Sequence, residues 1–193
     1  MGQPKTPQPV KLIVSAFAPG DALLAQARDA LAAEWGTVDF ESGLLPFEHT
    51  TYYQPEFGAG LVRRIWTLEP LIDPGALAAV KLRTNELEQR WAIEGRRRVN
   101  LDPGYLSLAK LVLATTKNHG HRIYVGNGIY AEVTLQYRGG AFCPWPWTYP
   151  DYATPRYREL FAAIRQRYLH QLRTANELAQ RETGVNAEMQ PAV

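Results

Sequence analysis

The stretch from His121 to Tyr137 admits few ways of folding. Two runs of alternating character flank Gly126-Asn127-Gly128, the arrangement of a β-hairpin. A two-residue Asn127-Gly128 turn pairs Tyr124 with Ala131 and Ile123 with Glu132, mixing polar and apolar side chains on both faces. A three-residue loop with Gly128 left-handed instead pairs Val125 with Ile129, Ile123 with Ala131 and His121 with Val133. That register puts Tyr124 with Tyr130 and Arg122 with Glu132 on the opposite face, near Thr134. A slip of one residue turns every side chain to the other face, so the cleanly sorted register is the expected one. One face is then core. The other displays Arg122, Glu132, Tyr124, Tyr130 and Thr134 to solvent or to a ligand.

The remaining elements follow from periodicity. Residues 1–9 hold three prolines and read as a flexible leader. Leu12 to Phe17 is a short apolar run ended by Pro19-Gly20, suited to a buried strand. Asp21 then offers a cap to a helix marked by Leu24, Ala27, Leu31 and Trp35 and closed at Gly36. Val38 and Phe40 alternate with acids as a second strand, and residues 42–60 form a long Gly-, Pro- and aromatic-rich connection. Leu61 to Leu68 predicts a third strand, and Asp73-Pro74 starts a helix along Leu77, Val80, Thr84, Leu87 and Trp91. Arg96 to Leu101 predicts a fourth strand, stopped by Asp102-Pro103-Gly104. The order is the βαββαβ of a ferredoxin-like half. An antiparallel meander follows, with Lys110 to Thr116 favoured as a strand, then a long helix after Pro155 along Tyr157, Leu160, Phe161, Ile164, Tyr168 and Leu172. Residues 10–175 thus form a single α+β domain, and 176–193 a helix end and disordered tail beginning near residue 183.

Composition narrows the class. No apolar run reaches the roughly 20 residues of a membrane-spanning helix, and 5 Trp, 10 Tyr and 6 Phe exceed what a disordered chain carries. A single cysteine, Cys143, with no signal peptide read in the sequence, points to the cytoplasm. The net charge of +2 conceals an asymmetry: residues 1–60 carry three cations against seven carboxylates, and the rest carries 18 against 12. Arginine supplies 16 of the 21 cations. That surplus reads either as a solvated surface or as a basic face for an anion.

Several motifs are absent or bland. There is no phosphate-binding G-x-x-x-x-G-K-[ST] loop, and Gly126-x-Gly128 sits at a hairpin tip rather than before a helix. His119 and His121 lack a Cys or His cluster, so no metal site is expected. His49-Thr50-Thr51 matches one copy of a two-histidine phosphoesterase element, but no second copy exists. Trp145-Pro146-Trp147-Thr148-Tyr149-Pro150-Asp151-Tyr152 reads as a rigid aromatic loop that caps a core or offers a stacking platform. Arg96-Arg97-Arg98 reads as a solvated edge.

At this point the residues resemble a family. Asp102-Pro103-Gly104-Tyr105-Leu106, Leu111 to Lys117, His121-Arg122-Ile123-Tyr124, Gly128 to Leu135 and Trp147 to Tyr152 resemble the uncharacterised prokaryotic family, domain of unknown function 4416. Tyr52-Tyr53, Glu56, Gly58 and Thr84-Asn85 fit upstream, and the resemblance spans roughly residues 10 to 172. Where the family pattern carries Asp or Thr before the Tyr-Tyr pair, this chain has His49-Thr50-Thr51. The resemblance implies no activity and no established catalytic residues. Its motif residues are nonetheless unusually polar, which points to a site at the meander.

The expected function is a cytoplasmic protein that binds or acts on a small ligand bearing phosphate or carboxylate. Arg122 and Lys117 would hold the anion, Glu132 and His121 would serve as acid–base groups, and Tyr124, Tyr130, Thr134 and Asp102 would make further contacts. Alanine at Arg122 or Glu132 would then spare the melting temperature. No motif names a cofactor. The alternatives are an RNA-binding module using the sheet face, the Trp-rich loop and the basic last helix, and a structural partner protein.

Overall fold

A computed structural model of the chain describes residues 2–47 and 53–188, apart from the side chains of 54, 179 and 181–188. His49 and its Thr50-Thr51 neighbours lie outside the described residues. The molecule is a mixed α+β structure built on one antiparallel sheet. Its strands are β1 (Val10–Ala18), β2 (Val38–Glu41), β3 (Leu45–Pro46), β4 (Val62–Ile72), β5 (Asn100–Leu106), β6 (Lys110–Thr115), β7 (Ile123–Gly126), β8 (Ile129–Arg138) and β9 (Ala141–Pro144). Its helices are α1 (Asp21–Trp35), α2 (Gln54–Phe57), α3 (Leu77–Glu88) and α4 (Pro155–Glu188). The strand order is β2-β4-β1-β5-β6-β8-β7, with β3 beside β4 and β9 beside β8.

Alternation in β1 explains the three layers. Leu12, Val14 and Ala16 meet Leu24, Ala27 and Leu31 of α1 and Val80 and Leu87 of α3. Ile13, from the other face, joins Leu111, Leu113 and Leu135 beneath Tyr157, Phe161, Ile164 and Tyr168 of α4. Every residue of β1 is buried, as befits a strand covered on both faces. Lys11 is wholly buried too, and its ammonium donates to Asp39, to the Leu68 carbonyl (2.9 Å) and to Gln171 Oε1 (2.9 Å). It ties α4 to β2 and β4. Among the described residues no helix is long and apolar enough to cross a membrane.

Several expectations change. Asp21 does not cap α1: Gly20 holds the cap position without a side-chain bond, and the Asp21 carboxylate grips Arg64 at 2.7 and 2.8 Å. Asp73 does cap, accepting from Gly75 N at 2.7 Å, but it starts a single 3-10 turn, Pro74–Ala76, ahead of α3. Helix α4 reaches Glu188, past the residue 183 expected to begin a tail. The expected leader, residues 2–9, is exposed and without regular structure.

The hairpin keeps two of its expected pairs, Ile123 with Ala131 and Tyr124 with Tyr130. Its tip differs. Gly126 rather than Val125 pairs with Ile129, so the connection is the two-residue Asn127-Gly128 turn, and Val125 is bulged out. Asn127 and Gly128 both take positive φ, 55° and 75°, which such a turn requires. The bulge absorbs the extra residue and preserves the sorted faces.

The largest correction concerns β5. Arg96–Val99 are not strand, and Asp102-Pro103-Gly104 lie inside β5 instead of ending it. Gly104 makes this possible, because a Cβ there would overlap the Val112 carbonyl oxygen and the Leu113 side chain on β6. Pro103 sits opposite Val14 of β1, just where the pairing of β5 with β6 stops. Only Gly104–Leu106 pair with β6, while β6 continues alongside β8 to Thr115. The two strands therefore part beyond Gly104 and Leu113.

Candidate functional site

A pocket of about 900 Å³ opens where β5 and β6 part. Asn100 and Asp102 line it from β5, Leu113 to Thr115 from β6, with Thr116 and Lys117 following. Lys81, Asn85 and Glu88 line it from α3, and Phe47, Tyr53 and Glu56 from the long connection. Arg122, Glu132 and the aromatic loop at Tyr149–Tyr152 close the remaining side.

Of the residues expected from sequence, Lys117, Arg122, Glu132 and Asp102 come together around this pocket. Glu132 is buried, and the face expected to be displayed is covered there. The cover is the aromatic loop, where Thr148 Oγ1 donates to the Thr134 carbonyl at 2.6 Å and Trp147 Nε1 to the Val133 carbonyl at 3.0 Å. The Glu132 carboxylate accepts from Arg122 Nε (2.8 Å) and Thr134 Oγ1 (3.2 Å) and meets His121 Nε2 at 3.1 Å. Against a carboxylate oxygen, Nε2 is the ring nitrogen placed to donate. Arg122 also donates to the Lys117 carbonyl (3.0 Å) and to Tyr149 Oη (2.9 Å). Burial, and secondarily the Glu132 charge, push the Tyr149 hydroxyl above its ordinary pKa.

The other expected residues fall elsewhere. Thr134 is wholly buried and positions Glu132. Tyr124 and Tyr130 meet edge-on at 5.4 Å outside the pocket, with Tyr124 58% exposed. Ile123, expected in the core, is 71% exposed, on β7 at the edge of the sheet. His121 lies outside the lining and in the middle of a stack of four nearly parallel rings. His119, His121, Trp147 and Trp145 follow one another at 6.0, 5.4 and 5.2 Å.

Three pocket residues escaped the sequence reading. Lys81 is buried and its ammonium crosses to the Leu101 carbonyl (2.9 Å) and Asp102 Oδ1 (3.3 Å). Glu88 is buried too, accepting from Leu101 N at 2.6 Å, and burial raises its pKa above the usual carboxylate value. Both recur at helical spacing with Leu77 and Thr84, so polar groups on the core stripe of α3 were the available signal. Arg97, read as a solvated edge, instead clasps Glu56 at 2.7 and 2.9 Å and reaches Glu88 (3.0 Å) and Asn100 (3.1 Å). Its hydrogen bonds hold the Glu56 carboxyl below its ordinary pKa. Nothing local marks it, since Glu56 lies 41 residues away. Among the described residues no group of three or more His, Cys, Asp or Glu is placed to hold a metal ion.

Comparison with known proteins adds one result. No curated protein and no solved structure matches the chain. A family model described as Domain of unknown function (DUF4416) matches residues 8–168, a span that takes in every strand and α4 as far as Tyr168. The motifs that build the pocket fall within it, and the chain belongs to that family.

Proposed function

We propose that the protein binds a small ligand carrying a phosphate or carboxylate in the pocket between β5 and β6. The observation that carries this is the convergence of Lys81, Lys117 and Arg122 on one cavity of ligand size, walled by the rings of Phe47, Tyr53, Tyr149 and Tyr152. Lys117 is exposed at the rim and meets the anion first. Arg122 is committed to Glu132 and Tyr149 and orients that wall. If the bound ligand reacts, Glu132 is the proton carrier on the lining and His121 the group behind it.

The RNA-binding reading draws on the ring stack and on α4. Four rings stacked on one another give a base a free face only at an end. Two arginines of α4, Arg165 and Arg167, lie over Tyr137 and Phe40 of the protein itself. The pocket is the better-supported site. Calorimetric titration with inorganic phosphate at low ionic strength tests it. We expect saturable binding that weakens at least tenfold in Lys117→Ala with the melting temperature unchanged, and that weakens with added salt. Binding indifferent to Lys117, or none, refutes the reading.

A further inference from the structure

The pocket is electrically divided. Among the described residues, on the α3–β5 side the carboxyl groups of Glu56, Glu88 and Asp102 outnumber the cations Lys81 and Arg97 by one. On the meander side, again among the described residues, Lys117 and Arg122 outnumber Glu132 by one. Arg63 and Asp151, also on the lining, pair with each other and cancel. Opposite charges on two walls of one cavity set a field along it. A simple anion satisfies the meander wall and meets an excess of carboxylate on the other.

The acidic wall retains capacity for a ligand. Asp102 has a side chain 36% exposed and accepts one bond on each oxygen, from Asn100 Nδ2 at 2.7 Å and from Lys81 at 3.3 Å. Each carboxylate oxygen can accept two, so lone pairs remain. Asn85 stands one helical turn from Lys81, lines the same pocket and has no side-chain partner among the described residues. Its amide adds an acceptor and two donors there.

We propose that the ligand is dipolar, a compact molecule with an anionic group at one end and an ammonium group at the other. The anion faces Lys117 and Arg122, and the ammonium faces Asp102 and Asn85. This rests on the anion-binding reading and adds the second charge. The test is calorimetric titration of the full chain with O-phosphoethanolamine, inorganic phosphate and ethanolamine at one ionic strength. Phosphoethanolamine should bind at least tenfold tighter than phosphate, and ethanolamine more weakly than both. Asp102→Asn should erase that preference without weakening phosphate, and Asn85→Leu, which removes no charge from the ion-pair network, should reduce it. Lys117→Ala should weaken both phosphates. Equal affinities for phosphoethanolamine and phosphate overturn the dipolar assignment and leave anion binding standing, as does a preference that survives both Asp102→Asn and Asn85→Leu. Failure of both phosphates to bind overturns the two together.

Discussion

Glu132 illustrates how a residue can be legible in its position and misread in its energetics. The alternation of the hairpin placed it beside Arg122, and the two are joined at 2.8 Å. The same alternation called for an exposed pair, yet both side chains are at most 5% exposed. Their cover comes from Thr148, Trp147 and Tyr149, which no local pattern ties to β8. Truncating one partner of a buried pair strands the other charge, whereas replacing both removes the desolvation cost as well. Glu132→Ala should therefore cost about 3 kcal/mol in urea unfolding, and Arg122→Met combined with Glu132→Leu should recover much of it. A melting temperature unchanged in Glu132→Ala would mean that the guanidinium finds water once its partner is gone. Lys81, Glu88 and Arg97 mark the opposite limit of legibility. The first two could be found as polar interruptions of an apolar stripe, while Arg97 depends on partners set only by the tertiary fold.

At the scale of elements, most of the chain was readable because periodicity and burial agree. Helix α1 buries Leu24, Ala27 and Leu31, α3 buries Leu77, Val80, Thr84 and Leu87, and α4 buries Tyr157, Phe161, Ile164, Tyr168 and Leu172. Strand β5 was misplaced for a definite reason. Asp-Pro-Gly normally signals a turn, but here the missing Cβ of Gly104 serves close approach between strands and the missing N–H of Pro103 falls where pairing with β6 ends. The turn signal and the opening of the pocket are one feature. Gly104→Ala forces a methyl group against the Val112 carbonyl and the Leu113 side chain, where the backbone of β6 is held by β8 and cannot withdraw freely. The expected cost is about 3 kcal/mol, at the upper end of overpacking effects, read as a lower urea midpoint. An alanine there without cost would mean that β5 and β6 can separate further, and ligand affinity measured on the same variant would register that widening.

Over the whole molecule, the division between an acidic first third and a basic remainder turns out to be joined more than displayed. Asp21 and Glu41 bind Arg64, Glu34 binds Arg83, and Glu56 binds Arg97. Much of the arginine surplus is thus spent within the fold, which leaves the charge difference across the pocket as the more pointed asymmetry. These pairs set opposing pH dependences. Hydrogen bonds from their arginines lower the carboxyl pKa values of Asp21, Glu34 and Glu56. The stability they contribute is complete above the unfolded carboxyl values, near about 4, and is lost as pH falls through the lowered folded values. Glu88 has the reverse sign, because burial raises its pKa and the folded state holds its proton more tightly. Its contribution is present below the unfolded value and is lost as pH rises through the raised one. Asp21 is about half exposed and Glu34 and Glu56 about one-third, so solvent reaches all three pairs, and salt at about 1 M shortens the screening length to about 3 Å. Thermal melts between pH 2.5 and 6, a range chosen to bracket about 4, should accordingly show an acid limb that flattens in 1 M salt and in the Arg64→Gln, Arg83→Gln double variant. The opposing slope from Glu88, which sets in as pH rises past the unfolded value and is carried by a buried group, should persist under both changes. An acid limb indifferent to salt and to both substitutions would refute its assignment to these arginine-paired carboxylates.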